Sequence, residues 1–441
     1  MDADEETKKK AQENSKSRKW KVGLAGVAGA AVIGITGGLA APLLAAGIGT
    51  VMSGLGLGAT AAAGYLGALA GSSVLVGSLF GAYGAGMTGK MMDQYAREVK
   101  DFAFLPIWEY SKPRKIENEY RRLRVAVGIS GWLTDPDEVV QPWRILSPSI
   151  EGFALRYELE SLLQLGHALV AMISSYAFSY ATSEIIKHTV FGALSAGLWP
   201  LGLLKVGKII DNPFSVAKAR SEKAGEVLAD AIINKAQGER PLTLVGYSLG
   251  ARVIYTCLMK LAERKAFGLI ESVVFIGAPM PSAAADWRKI RSVVAGRVVN
   301  VYSTNDFILG YLYRSSSIQY GIAGLQKVEG VKGVENVDVS DFIDGHTKYR
   351  FATGIILRKI GFEDIDNLEA KKDEEELKAM EEKEAEKKKK MKETPGETAE
   401  EEAEKLQKVV EARNKDSMMQ RATQKLKIGQ GNTFRKGGNQ E

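Results

Sequence analysis

At 441 residues, 45% hydrophobic and 25% charged, the chain is too long for one small domain and too apolar to stay unfolded. Its net charge of +6 is spread over several segments, with no Lys/Arg stripe interleaved with aromatics, which argues against a nucleic-acid partner. The single cysteine, Cys257, forbids an internal disulfide and fits a reducing compartment.

Residues 1–21 are polar, end in a basic cluster and read as a disordered basic arm. From Val22 to Gly89 there is no charged residue and no histidine, and nineteen positions are glycine. A membrane span needs about 20 apolar residues, and Gly/Ala faces let helices approach closely in lipid. Both flanks are basic, so residues 22–89 are expected to form a transmembrane helical hairpin in the lipid bilayer. An even number of spans leaves both ends on the cytosolic side of an intracellular membrane. The alternative is a Gly/Ala-rich helical bundle buried in a soluble protein. Residues 90–122 read as a helical connector.

Beyond it, short apolar runs alternate with amphipathic helices, the pattern of an α/β fold with a mainly parallel sheet. The runs are Leu123–Ile129, Gly152–Tyr157, Leu242–Val245, Val273–Gly277, Val298–Ser303 and a last one near Val334–Val339. They define a domain at 123–361. An insert at 158–240 is too long for an ordinary crossover and reads as a lid or a second membrane contact. It holds an apolar helix near Ser161–Ile186 and a short greasy stretch, Thr189–Leu204. Asn212-Pro213 is expected to open an amphipathic helix. The tail, 362–441, is dominated by Glu and Lys and reads as exposed helix broken at Thr394-Pro395-Gly396, with a second helical piece from Thr398 to Ile428 and a disordered end. A solvated helix is favoured over a defined coiled coil, although the tail could bind protein partners.

The segment "PLTLVGYSLGARVIY" carries chemistry. It contains G-x-S-x-G as Gly246, Ser248 and Gly250, after a strand-like run and before a helix, the context of a nucleophile elbow. In that architecture the chain order is Ser, acid, His. His346 is the one histidine after Ser248, and Asp306 follows the run Val298–Ser303. Asp341 and Asp344 are rival acids. Ser248, Asp306 and His346 are thus the candidate catalytic residues. The N–H of Leu249, with that of Gly131 or Trp132 in the loop after the first run, would form the oxyanion hole. Trp132 and Met280 are candidate walls of an acyl pocket, with Met280 alternatively core. His167 and His188 read as helix-face residues and Cys257 as core packing. The three histidines are scattered and one cysteine cannot make a metal site, so no metal and no cofactor is expected.

The run from "ATSEIIKHTVFGALSAGLWPLGLLK" through "DNPFSVAKARSEKAGEVLAD" to "LVGYSLGARVIYTCL" resembles the family of transmembrane and coiled-coil domain-containing protein 4, also described as domain of unknown function 726. The resemblance covers about Met91 to Gly361. It implies an integral membrane protein with a lipase-like α/β-hydrolase domain and no settled substrate, its triad falling on Ser248, Asp306 and His346. The expected function is a membrane-anchored serine hydrolase acting on acyl esters, lipid-like in chemistry because the anchor holds the site among lipids. The alternative is a catalytically silent membrane scaffold or trafficking adaptor. A channel is disfavoured because the apolar stretch has no charges to line a path.

Overall fold

The computed structural model describes residues 101–108, 122–175, 208–235, 240–313, 321–393 and 399–434. The expected arm 1–21 and hairpin 22–89 lie outside them, as do Thr189–Leu204 and His188. Among the described residues, no helix is long and apolar enough to cross a membrane.

Among the described residues, seven strands form one sheet: β1 (Phe102–Pro106), β2 (Val125–Ile129), β3 (Glu151–Tyr157), β4 (Leu242–Tyr247), β5 (Ile270–Ile276), β6 (Val298–Tyr302) and β7 (Val334–Asp338). Their spatial order is β1-β3-β2-β4-β5-β6-β7. Every pairing is parallel except β1 with β3. The central strands β2, β4 and β6 are buried along their whole length, which is why they read as mainly apolar runs, interrupted by Thr243 in β4 and Asn300 in β6. The edge strand β7 alternates with charged residues, and its Glu335 faces Arg297 at 2.7 Å.

One strand departs from expectation. The segment 90–122 reads as helical throughout, yet Phe102–Pro106 pairs antiparallel with β3, from Phe102 opposite Tyr157 to Pro106 opposite Phe153. Five residues ending in proline suit an edge position, and the pairing partner is too distant in sequence for local pattern to reveal it.

Among the described residues, the α-helices are α1 (Leu159–Ile173), α2 (Lys208–Ile233), α3 (Leu249–Glu263), α4 (Ala284–Val293), α5 (Phe307–Leu312), α6 (Thr353–Lys359), α7 (Asn367–Glu393) and α8 (Ala399–Phe434). Helix α2 already runs at Lys208, so Pro213 lies inside it and does not start it; the fully buried Ile210 belongs to its packed face. A short tight turn, His346–Arg350, precedes α6. Helix α8 reaches Phe434, past Ile428, as helix propagation adds a bond per residue once a turn exists.

The charged tail is more attached than its composition implies. Asp364 to Asp366 join the body: Ser147 N–H donates to the Asp364 carbonyl at 2.9 Å and Asp366 N–H to that of Ile145 at 2.8 Å. Helix α7 then lies against α6 through buried Ala370 and Leu377, with ion pairs Arg358–Glu374 at 2.7 Å and Lys348–Glu381 at 2.8 Å. Helix α8 lies on α1, where buried His167 meets Asn414 Oδ1 at 2.8 Å.

Asp373 gives this docking a pH dependence. Burial, then the charge of Glu376, raises its carboxyl from the ordinary 3.8 to about 7, against opposing contributions from the Gly354 N–H and Arg350. A carboxyl whose folded pKa is raised favours the docked state when protonated. That contribution is full below about 4, fades as pH rises, and is gone above about 7. Protection factors of the α7 amides, taken against each amide's own unprotected rate at that pH, should therefore be higher at about pH 5.5 than at about pH 8, and Asp373→Asn should remove most of that difference. Equal protection at both pH values in the unsubstituted chain would contradict this.

Candidate active site

The strand order reverses between β2 and β4: from β2 the chain first adds β3 on one side, then β4 on the other. Loops leaving the carboxyl ends of strands on either side of such a reversal diverge and open a crevice, the usual ligand position in open α/β sheets. Here those loops are Ser130–Leu133 and the β4–α3 turn.

Ser248 occupies that turn with φ 53° and ψ −129°, a left-handed conformation that a side chain tolerates only under tight constraint. The constraint is visible. Ser248 N–H donates to the Ile276 carbonyl at 3.0 Å, and a Cβ on Gly250 would overlap the Ile129 carbonyl oxygen. The side chain therefore stands at the sheet edge, at the amino end of α3, whose first-turn N–H groups have no partner within the helix.

Two further elements bring their residues to Ser248. His346 Nε2 lies 2.7 Å from Ser248 Oγ, and His346 Nδ1 lies 2.6 Å from Asp306 Oδ2. All three side chains are buried. Asp306 caps α5: its Oδ1 accepts from Leu309 N–H at 3.0 Å, which leaves Oδ2 for the histidine. Ser303, at the end of β6, donates to the Ile343 carbonyl at 2.6 Å, and Thr304 N–H donates to Ser340 Oγ at 2.9 Å. These bonds tie the acid loop to the histidine loop. The rival acids are elsewhere engaged and exposed: Asp344 pairs with Lys348 at 2.7 Å and Asp341 with Lys359 at 3.1 Å.

The Tyr349 ring meets His346 edge-on, with centroids 5.7 Å apart, and fills the space beside Gly277, where a Cβ would overlap it. Burial pushes the Tyr349 phenol well above its ordinary range, with the Asp306 charge adding to the effect, so it stays neutral.

Gly131 abuts the amino end of α3: a Cβ there would overlap Leu249 N and the Tyr247 carbonyl and come within 2.7 Å of Gly250 N. The loop and the first-turn N–H groups of α3 thus share one small volume. Trp132 is buried in this loop, edge-on to Tyr247 at 6.3 Å. Met280 is fully buried within the core, matching the simpler of its two expected roles. Cys257 is likewise buried, and burial holds its thiol far above the ordinary range. His167 is not a plain helix-face residue: its Nε2 lies 3.3 Å from the Thr134 carbonyl at the end of the loop.

Sequence reasoning did not find Glu138 or Arg350. Glu138 is buried and paired with Arg350 at 2.6 Å, and it accepts from Thr134 N–H at 2.6 Å. No motif marks either residue; the one hint was an acid between Asp135-Pro136 and an apolar pair, Val139-Val140.

Comparison with known proteins agrees with the resemblance read from the residues. A family model described as "Protein of unknown function (DUF726)" matches residues 15–363. An uncharacterized membrane protein of Schizosaccharomyces pombe is 41% identical over 360 residues, covering 80% of this chain and 60% of that protein. A transmembrane and coiled-coil domain-containing protein of Oryza sativa subsp. japonica is 40% identical over 374 residues, covering 81% of this chain and 55% of the relative. A protein of Saccharomyces cerevisiae named a probable lipase is 36% identical over 310 residues, covering 69% of this chain and 28% of its own length. The chain spans 60% or less of each of these relatives. No solved structure matches it. The family match across most of the chain settles its kinship: the protein belongs to the DUF726 family.

Proposed function

We propose that the protein is a serine hydrolase of acyl esters with an α/β-hydrolase fold, anchored to an intracellular membrane by residues 22–89 and facing the cytosol. The observation that carries the reading is the buried chain of contacts Ser248 Oγ, His346 and Asp306, with Ser248 in a strained turn at the topological switch point. A relative named a probable lipase and others named as membrane proteins support it.

In this reading Ser248 Oγ attacks the ester carbonyl and passes its proton to His346 Nε2. Asp306 accepts from Nδ1, keeps the imidazole in the correct tautomer and stabilises the imidazolium. The N–H of Leu249 and that of Gly131 or Trp132 receive the charge developing on the carbonyl oxygen. The alcohol leaves with the proton from His346, and water then cleaves the acyl-serine by the same path in reverse. The chemistry needs no cofactor. An anchor beside the site favours lipid-like esters, because it keeps the crevice at a high local concentration of them.

Reaction of the detergent-solubilised protein with a fluorophosphonate tests the enzyme, with labelling expected in the natural chain and lost in Ser248→Ala. Labelling absent from both, with the fold intact, points to a scaffold that keeps the residues without the activity. The anchor is tested by carbonate extraction of membranes: the protein should stay in the pellet, and its release would sink the hairpin.

A further inference from the structure

We propose that Glu138 and Arg350 are a positioning pair that sets the oxyanion loop against the histidine-bearing segment. The inference rests on the reading of Ser248 as nucleophile.

Glu138 sits in the tight turn Pro136–Val139 and is 4% exposed. A carboxylate is buried at high cost unless it is paired and hydrogen-bonded, so its partners show what the site gains from it. The carboxylate holds the far end of the loop, and the backbone carbonyl of the same residue holds the near end. The side chain accepts from Thr134 N–H at 2.6 Å and from the Thr134 hydroxyl, while the Glu138 carbonyl accepts from Ser130 Oγ at 3.2 Å. Ser130 Oγ in turn accepts from Trp143 Nε1 at 3.1 Å. Glu138 therefore brackets residues 130–134, the loop that carries both candidate donors, Gly131 and Trp132.

Its remaining bond leaves the loop. Glu138 Oε1 pairs with Arg350 Nη1 at 2.6 Å. Arg350 closes the same short turn, His346–Arg350, that begins with the candidate base. The guanidinium also lies over the rings of Trp132, at 6.0 Å, and Phe351, at 4.5 Å. One ion pair thus spans from the loop that receives the oxyanion to the segment that holds the base. Neither residue is bonded to Ser248, so both act through the groups they hold.

This placement predicts a particular kinetic signature. Oxyanion stabilisation exists in the transition state and is absent from the ground state, so its loss lowers kcat and leaves KM near its starting value. A displacement of about 1 Å in such a site costs on the order of 100-fold.

The test uses the full chain in detergent with a p-nitrophenyl acyl ester as substrate and a trifluoromethyl ketone as tetrahedral mimic. Glu138→Gln, nearly isosteric, should lower kcat about 100-fold, change KM less than about 2-fold and weaken the ketone in proportion to kcat. Arg350→Lys keeps the charge but loses the fork, and should show the same split to a smaller degree. The double variant Glu138→Gln/Arg350→Lys should lose little more than Glu138→Gln alone, since the two residues work as one unit. Glu151→Gln is the structural comparator: it breaks the buried Glu151–Arg240 pair at the amino end of β3. It should lower the melting temperature while leaving kcat per active site unchanged.

Wild-type turnover with kcat unaltered in both Glu138→Gln and Arg350→Lys overturns the positioning role alone. So do fully additive losses, or a kcat loss in Glu151→Gln of the same size. A wild-type chain that neither turns over the ester nor reacts with a fluorophosphonate overturns this proposal together with the hydrolase reading.

Discussion

If the protein is the proposed serine hydrolase, Asp306→Asn is expected to lower ester turnover about 10⁴-fold at neutral pH with the fold intact, the size of loss seen when the orienting acid of a Ser-His-Asp site becomes an amide. The geometry explains why the loss should be so large for an almost isosteric change. One oxygen of Asp306 is claimed by the Leu309 N–H at the start of α5, and the other faces His346 Nδ1. In the variant the amide oxygen must stay with Leu309, because an NH₂ group there would confront another donor. The NH₂ group is then forced toward Nδ1. His346 can respond only by moving its proton to Nε2, which removes the acceptor that Ser248 needs. The measurement is kcat for an activated ester, beside the melting temperature. A loss smaller than about 10-fold would contradict the tautomer argument.

Gly250→Ala destabilises the protein by about 3 kcal/mol or more, at the upper end of overpacking effects, because the added methyl meets backbone and has nowhere to turn. A Cβ at this position overlaps the carbonyl of Ile129 in β2, and the neighbouring Ser130 carbonyl carbon is 3.1 Å away. One lies in the central sheet and the other directly follows it, so relief requires moving α3 away from β2 and with it the Ser248 turn. Gly345→Ala is the matching control. It has nothing within 4 Å of its Cβ and an extended backbone, φ −165°, and should shift stability by less than about 0.5 kcal/mol. Thermal or urea unfolding of the two variants decides the matter; equal stabilities would contradict the close-packing account of the turn.

The parallel sheet was legible because its central strands are apolar on both faces, and each falls within a few residues of its expected position. The grouping of Ser248, Asp306 and His346 followed from one histidine lying downstream of the serine and from the chain order serine, acid, histidine, which favoured Asp306 after the run Val298–Ser303 over Asp341 and Asp344. Other features depend on partners distant in sequence. Strand β1 exists by virtue of pairing with β3, and a five-residue run gives no periodicity of its own. Glu138 and Arg350 sit near opposite ends of the domain's sequence, and their bond appears only when the loop and the histidine turn converge. The tail misled for a related reason. Its composition is that of a solvated helix, and a few contacts, such as Leu377 on the body and Asn414 on His167, suffice to dock it.

In the proposed hydrolase, Ser248 is a nucleophile activated by His346. The most direct measurement is mass spectrometry of the peptide containing Ser248 after exposure of the solubilised protein to a fluorophosphonate. A stoichiometric phosphonyl adduct on Ser248 is expected, formed much more slowly in His346→Ala. An unmodified Ser248 in folded protein, or an adduct that forms as fast without the His346 imidazole, would contradict it.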